Sequence, residues 1–367
     1  MSTTSTVSSR KIGFESQNEK KPIRVLVVTG VYPTEQRPHK GTFIKSQVDS
    51  LIAEGLEVEV VHPKSVPAPF RYAAATLQVF LKTLRGQFDI VHGHYGLWCL
   101  TTRMQWTTPV VASFLGDDLL GTVKNDGSYN KKAALVQHIS RWLSRRVDAV
   151  IVKSEGMKKK VPAENNIFVI PNGVNFEVFR PMSRVETRVQ LGWDADRYYI
   201  LFCNDPAIPV KNFSLAKSAI ERLHARGIPA ELIVANGISH DKVVEYMNAS
   251  NALILPSIAE GSPNVVKEAM ACNIPVVASN VGDVSQVIGH TRGCSICAFD
   301  PEAFADGIEE ALRQTQPTTG RVDIAHLESS AVAKQVIEVY ELIRKKEARN
   351  QESHFVLEGD AIHGKSQ

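Results

Sequence analysis

Eleven short apolar runs, rich in Val, Ile and Leu, recur along this chain and limit its fold more than any other feature. The first six are IRVLVVTG (23–30), LEVEVVHP (56–63), FDIVHGH (88–94), PVVASFLG (109–116), VDAVIVKS (147–154) and NIFVIPNG (166–173). The other five are YYILFCN (198–204), AELIVAN (230–236), NALILPS (251–257), IPVVAS (274–279) and GCSICAF (293–299). A β-branched apolar run suits a strand buried on both faces, as in a parallel sheet covered by helices. Helical patterns separate most of the runs, and that alternation predicts an α/β protein. The first helix is predicted over about residues 42–53, closed by Gly55 as a left-handed cap.

The rhythm breaks once, at PNGVNFEVFRPMSR (171–184), and then restarts. Two βα domains are therefore predicted, over 23–180 and 181–328, and 367 residues suffice for two cores. A last helix, 329–348, carries Val332, Val336, Val339, Tyr340 and Ile343 on one face. Residues 1–22 read as a disordered Ser/Thr- and Lys-rich tail, and 349–367 as a polar tail.

Composition excludes several classes. With 42 Lys+Arg against 39 Asp+Glu, bulk nucleic-acid binding is not expected. No apolar run approaches the roughly 18–20 residues of a membrane span, and residues 1–21 lack the apolar centre of a secretory signal. Five cysteines in a chain this long are no disulfide framework, so a cytoplasmic protein is expected. The sequons at Asn212 and Asn248 would need a secreted chain. Cys294 and Cys297 form a lone C-x-x-C inside an apolar run and read as structural. The first strand is followed by VYPTEQRPHKG, without the glycines of a dinucleotide-binding turn. GDAIHGKS (359–366) fits the phosphate-loop formula but has neither a strand before it nor a helix after it.

The informative segment is LPSIAEGSPNVVKEAMACNIPVVAS (255–279). Ser262 is predicted as N-cap and Pro263 as first helical residue, with a helix over 264–272 and Asn273 as left-handed stop. That helix start lies at the carboxyl edge of a parallel sheet, where free N–H groups and the macrodipole attract anions. Glu260 precedes it and Glu268 lies two turns inside it. The spacing suits one carboxylate near a reacting centre and another on a vicinal diol such as ribose. The alternative is two solvated surface charges.

The same segment resembles the signature of family 4 (group 1) retaining glycosyltransferases of the GT-B fold. Glu260, Gly261, Pro263, Glu268, Ala269, Met270, Ala271, Pro275, Val276 and Val277 carry the resemblance. Residues 31–61, FDIVHGHYG and IPNGVNFEVFRP extend it over nearly the whole chain. The resemblance implies two Rossmann-like domains facing a cleft, with the last helix crossing back onto the first domain. It implies transfer of a sugar from a nucleotide-sugar donor to an acceptor hydroxyl, without a metal or other cofactor. Glu268 would hold the ribose and Glu260 would lie at the donor sugar. Gly261, Ser262, Pro263, Asn264 and Val265 would line the sugar and phosphates, with Lys211 and Asn212 at the diphosphate.

On the amino-terminal side, Gly41 and Asp118 would serve the acceptor or phosphate loop and His94 the reaction, while His92 reads as core. Two family positions differ. Pro206 stands where an arginine is expected, and Leu115 where many relatives have histidine. A weakened GT-B protein that binds without efficient transfer, a GT-B epimerase or phosphorylase, and a membrane scaffold are the alternatives. Finally, Lys131, Lys132, Arg141, Arg145, Arg146, Lys153, Lys158, Lys159 and Lys160, with Trp142 among them, face only Asp148 and Glu155. The stretch 131–160 reads either as a solvated face or as a footprint for an anionic membrane surface carrying a lipid-linked acceptor.

Overall fold

Every one of the eleven runs forms a strand in the computed structural model, which describes residues 21–37, 40–121, 131–162 and 166–363. The strands are β1 (Arg24–Thr29), β2 (Glu57–Val61), β3 (Ile90–His94), β4 (Val110–Ser113), β5 (Ala149–Val152) and β6 (Ile167–Val169) in the first domain. The second has β7 (Tyr198–Phe202), β8 (Ala230–Val234), β9 (Ala252–Leu255), β10 (Val276–Ser279) and β11 (Ser295–Cys297). Sheet orders are β2-β1-β3-β4-β5-β6 and β11-β10-β9-β7-β8. Both sheets are parallel. Central strands are buried on both faces because helices cover both; Val25, Leu26, Val27 and Val28 are at most 1% exposed. β2, at the edge, alternates instead.

Each order reverses once, between β1 and β3 and between β7 and β9. Diverging loops leave a crevice at the carboxyl ends of such strands, which is where α/β proteins take ligands. The first helix, Thr42–Ala53, starts beside the first crevice and stops at Gly55, whose φ of 89° matches the predicted left-handed cap.

The chain crosses between the domains twice, and the two passes touch. Val174 donates its N–H to the Leu327 carbonyl at 2.9 Å, and Ser329 donates to the Val174 carbonyl at 3.0 Å. A Cβ on Gly173 would lie 2.9 Å from the Ser329 Cα, so only glycine lets the passes meet. Arg321 pins the outgoing pass by donating to the carbonyls of Phe176 and Phe179 while its guanidinium stacks on the Phe176 ring.

The last helix packs into the first domain's core through Val332, Ala333, Val336, Val339, Tyr340 and Ile343, which include all the predicted apolar positions. It spans Ser329–His363 rather than ending near 348. Residues 347–358 include three Glu and contain no Gly or Pro before Gly359. The expected disordered tail lies almost wholly outside the described residues, as do residues 364–366 of the phosphate-loop formula, whose earlier part is helical. Cys294 and Cys297 are free thiols on β11 and its approach.

Tyr340 also ties the crossing helix to β3. Its hydroxyl lies 2.6 Å from His92 Nδ1, and His92 Nε2 lies 2.7 Å from Ser113 Oγ, all fully buried. His92 is thus a core residue. Tyr340→Phe leaves a buried ring nitrogen unpaired and is expected to cost about 1–3 kcal/mol, measured as a lower urea midpoint with unchanged slope.

Candidate active site

The second reversal determines which side chains meet. The loop after β7 ends in a tight turn, Pro209–Lys211, and the loop after β9 carries Glu260. Ile258 donates its N–H to the Val210 carbonyl at 2.8 Å and ties the two loops together. Lys211 Nζ therefore reaches Glu260 Oε1 at 2.7 Å, with the two side chains only 21% and 13% exposed. Pro206 sits in a turn held by the Ala207 N–H on Asp205 Oδ1, 2.9 Å away.

Asn212 takes a left-handed conformation at the start of the helix Phe213–Ala225. Its Oδ1 accepts from Ser214 Oγ, and no side chain caps that helix.

The helix Asn264–Ala271 begins beside this pair. Its N-cap is Pro263, not Ser262, and no side chain caps it. Proline offers no side-chain acceptor; the Val266 N–H bonds the Pro263 carbonyl at 3.3 Å, and the amides of Asn264 and Val265 stay available to an anion. Ser262 is drawn away instead: its Oγ donates to Asp283 Oδ2 at 2.6 Å and accepts from Lys267 Nζ at 2.6 Å. Asn264 Oδ1 accepts from Asn172 Nδ2 in the crossing segment. Val265 is half-buried in that first turn, and Asn273 stops the helix with φ 57° as predicted.

Glu268 lies two turns on, its Oε1 3.9 Å from His240 Nε2. That distance is long for a hydrogen bond, and the carboxylate raises the His240 pKa against the effect of burial.

Across the cleft, the loop Leu115–Asp118 meets Gly261. A Cβ on Gly261 would lie 3.0 Å from the Leu115 carbonyl and 3.2 Å from the Gly116 Cα, so the glycine allows the two domains to touch. Leu115 faces the site with its backbone. Asp118 does not face it: its carboxylate accepts the N–H groups of Gly96, Leu115 and Gly116. Burial raises its pKa to about 6, against those bonds. Asp118 therefore shapes the loop, and Asp117, the other half of the doublet, is the carboxylate in the cleft. Its pKa is raised by desolvation and by Glu260, while Lys211 opposes.

His94 ends β3 as predicted but is 2% exposed and stacked on His92 with ring centroids 4.3 Å apart. Burial and the Lys153 charge push its pKa down to about 3, so it is neutral. Gly41 is left-handed, and a Cβ there would lie 2.7 Å from the Val31 carbonyl, so the turn itself requires glycine. A cleft of about 600 Å³ opens next to it, lined by Thr42, Lys45, Asn175, Glu177 and His240. That volume is in the range of small-molecule sites.

Two parallel-sheet domains facing a cleft, with an uncapped helix start and a lysine at the second reversal, define a GT-B glycosyltransferase. Residues 19–178 match the family described as Glycosyltransferase Family 4, and residues 212–321 match Glycosyl transferases group 1; the chain belongs to this family 4/group 1 class. A Bacillus subtilis (strain 168) protein assigned to glycosyl transfer in teichuronic acid biosynthesis is 23% identical over 351 residues, covering 78% of this chain and 88% of the relative. Among solved structures, sucrose-phosphate synthase from Thermosynechococcus elongatus has TM-score 0.69 at 18% identity, covering 88% of this chain and 99% of that one. Anabaena HepE in complex with UDP-glucose has TM-score 0.59 at 15% identity, covering 89% and 100%.

Sequence reasoning missed Asp117, His240, Asp283 and the buried roles of Lys153 and Lys267. Lys153, read there as part of a surface footprint, is 2% exposed at the end of β5. A lysine directly after four buried strand residues, AVIVK, is the signal that could have found it. Burial, and then the charge of Lys267, pushes its pKa down to about 7. Between that value and the unfolded value near 10.4, the unfolded chain holds the proton and the folded one does not, so stability rises with pH across this window. Lys153→Met is therefore expected to stabilise the ligand-free protein by about 1–4 kcal/mol near pH 7. The gain should shrink toward pH 10, as measured by urea denaturation at both values.

Proposed function

We propose that this protein transfers a hexosyl group from a nucleotide diphosphate-sugar to an acceptor hydroxyl with retention, in the synthesis of a cell-surface polysaccharide or glycolipid. The observation that carries the reading is the Lys211–Glu260 pair beside the uncapped start of the helix Asn264–Ala271. In this reading the donor diphosphate takes Lys211 and the free amides. Glu260, released from the lysine, turns to the sugar and stabilises the positive charge developing at its anomeric carbon. Glu268, with His240 beside it, accepts the ribose hydroxyls. The acceptor enters between Gly41, His94 and the Leu115–Asp118 loop, and its proton passes to a departing diphosphate oxygen on the same face. Lys211 and the helix dipole neutralise that leaving group, so no metal or other cofactor takes part.

The HepE complex with UDP-glucose and the teichuronic-acid relative support a nucleotide-sugar donor and an envelope product.

Glu268→Ala is expected to weaken nucleotide diphosphates about tenfold to hundredfold, matching the loss of one or two charge-assisted bonds. An affinity equal to wild type would remove the ribose assignment. Glu260→Gln should do the opposite to binding, because it frees the Lys211 charge: UDP binds more tightly by titration calorimetry, while sugar transfer falls. Nucleotide binding by the wild type with neither transfer nor slow donor hydrolysis would favour the binding-protein alternative.

The acceptor is proposed to be lipid-linked and reached at the inner face of the membrane by peripheral contact. No helix among the described residues is long and apolar enough to cross a membrane. Arg141, Arg145, Arg146 and Lys158, Lys159 and Lys160 are exposed, and Arg146 stacks on the exposed Trp142. The side chains of Lys131 and Lys132 lie outside the described residues. Arg103 donates to the Arg146 carbonyl and so places this edge next to the exposed Met104 and Trp106. Phe80 and Trp106 are in ring contact, which continues the face into Leu77, Leu81 and Leu84, three exposed leucines of the helix Arg71–Leu84. Apolar side chains ringed by arginines suit an anionic lipid surface. The protein should sediment with vesicles containing phosphatidylglycerol and not with neutral ones, and Trp106→Ala should weaken that. Equal recovery with both vesicles would discard the membrane contact.

A further inference from the structure

Lys153 is buried with few partners for its chemistry. Its ammonium has three N–H donors, and the bond the structure gives it is a long one, 3.3 Å, to the Ile170 carbonyl. Near it, the buried His94 Nδ1 has no partner. On the other side of the cleft Lys267 is 1% exposed and donates to Ser262 Oγ, while Asp283, 3.9 Å away, leaves a buried Oδ1 without a partner.

The charged and titratable groups around the two lysines are His92 and His94 on β3, Asp118 after β4, and Glu268 and Asp283 in the donor domain. The Asp118 carboxylate is committed to three backbone amides and the two histidines are neutral. Lys267 is tied through Ser262 to the loop whose Gly261 meets Leu115 and Gly116 just after β4, and Lys153 ends the neighbouring strand β5. Two desolvated amines thus face the junction of the two sheets' carboxyl edges, and the Lys267 charge lowers the Lys153 pKa. An apolar side chain at either place would pack at lower cost. A local rule broken at a substrate edge, with no gain to the fold, marks a ligand site.

We propose that Lys153 and Lys267 form an oxyanion subsite bridging the two domains, which takes a phosphoryl or carboxylate group carried by a substrate. The nature of that substrate rests on the transferase reading. The bound group accepts N–H bonds from both ammonium groups, and neutral His94 can donate a third from Nδ1. Binding there favours the protonated form of Lys153 beside Lys267. The group is either the donor's diphosphate or an acidic function on the sugar or acceptor.

Sulfate is the probe, being a dianion that does not titrate near neutral pH. Thermal unfolding is compared in sodium sulfate and in sodium chloride at equal ionic strength. Wild type is expected to gain a sulfate-specific rise in Tm, and Lys153→Met and Lys267→Met to lose it, with Lys153→Met no less stable than wild type in chloride. A rise that persists in both variants is the general salting effect and overturns the proposal.

A second measurement needs only wild type. Calorimetry of sulfate binding at pH 8, in two buffers of different ionisation enthalpy, should show net proton uptake as Lys153 recharges. Absence of uptake also overturns it.

The source follows from UDP, UDP-glucose and UDP-glucuronate. UDP affinity falling in both variants assigns the subsite to the diphosphate. UDP affinity kept, with loss of any preference for UDP-glucuronate over UDP-glucose, assigns it to a sugar carboxylate. Affinities unchanged for all three assign it to the acceptor. Lysine-dependent sulfate binding by a protein that binds no nucleotide diphosphate would sink the transferase reading alone. UDP binding without a sulfate effect would sink the subsite alone.

Discussion

The two backbone bonds at Val174 hold the cleft together. They join the outgoing and returning passes of the chain, and Gly173 lets those passes lie against each other. With the crossing fixed there, the carboxyl edges of two parallel sheets face each other. The loop Leu115–Asp118 then meets Gly261 with backbone against backbone. Such a contact leaves little room for a side chain, so the glycine of the signature segment serves the junction of the domains as well as any ligand.

Charge in this cleft is arranged at a cost to stability. Lys211 is paired with Glu260 and Lys267 with Asp283, while Lys153 has a long bond to a carbonyl and its pKa is pushed down. Asp117 adds a carboxylate whose pKa is raised. Desolvated ions of this kind rarely add to the free energy of folding, and they concentrate where chemistry needs them. The stability for them comes from elsewhere: from strands buried on both faces and from the crossing helix, whose apolar stripe completes the first domain's core.

The alternation of strands and helices was legible in the sequence because burial on both faces leaves an unbroken apolar run, and all eleven strands lie where those runs do. The signature segment puts Glu260 and Glu268 near one helix start, and the family resemblance adds Lys211, which the structure places 2.7 Å from Glu260. The resemblance points to Asp118 alone, and no sequence pattern tells which member of the Asp117–Asp118 doublet turns toward the backbone; the unusual geometry at Gly116 decides that. Ser262 was read as a cap because local rules favour serine before proline. Asp283, distant in sequence, offers its hydroxyl a stronger acceptor. Lys153 was grouped with its basic neighbours because charge counts ignore strand direction, which carries this one inward.

The crossing helix has a further consequence, for the order of assembly. Tyr340 is hydrogen-bonded to His92, and Val332 to Ile343 pack against β1, β3 and β5. During synthesis those residues emerge after the whole donor domain. Until then the first helix, through Ile44, Val48 and Leu51, covers only part of that face of the amino-terminal sheet, while the domain encoded after it can close its own core. Folding is not a procession from first domain to second: the middle of the chain can finish before its beginning does, and the ribosome must release nearly all of the protein before the cleft exists.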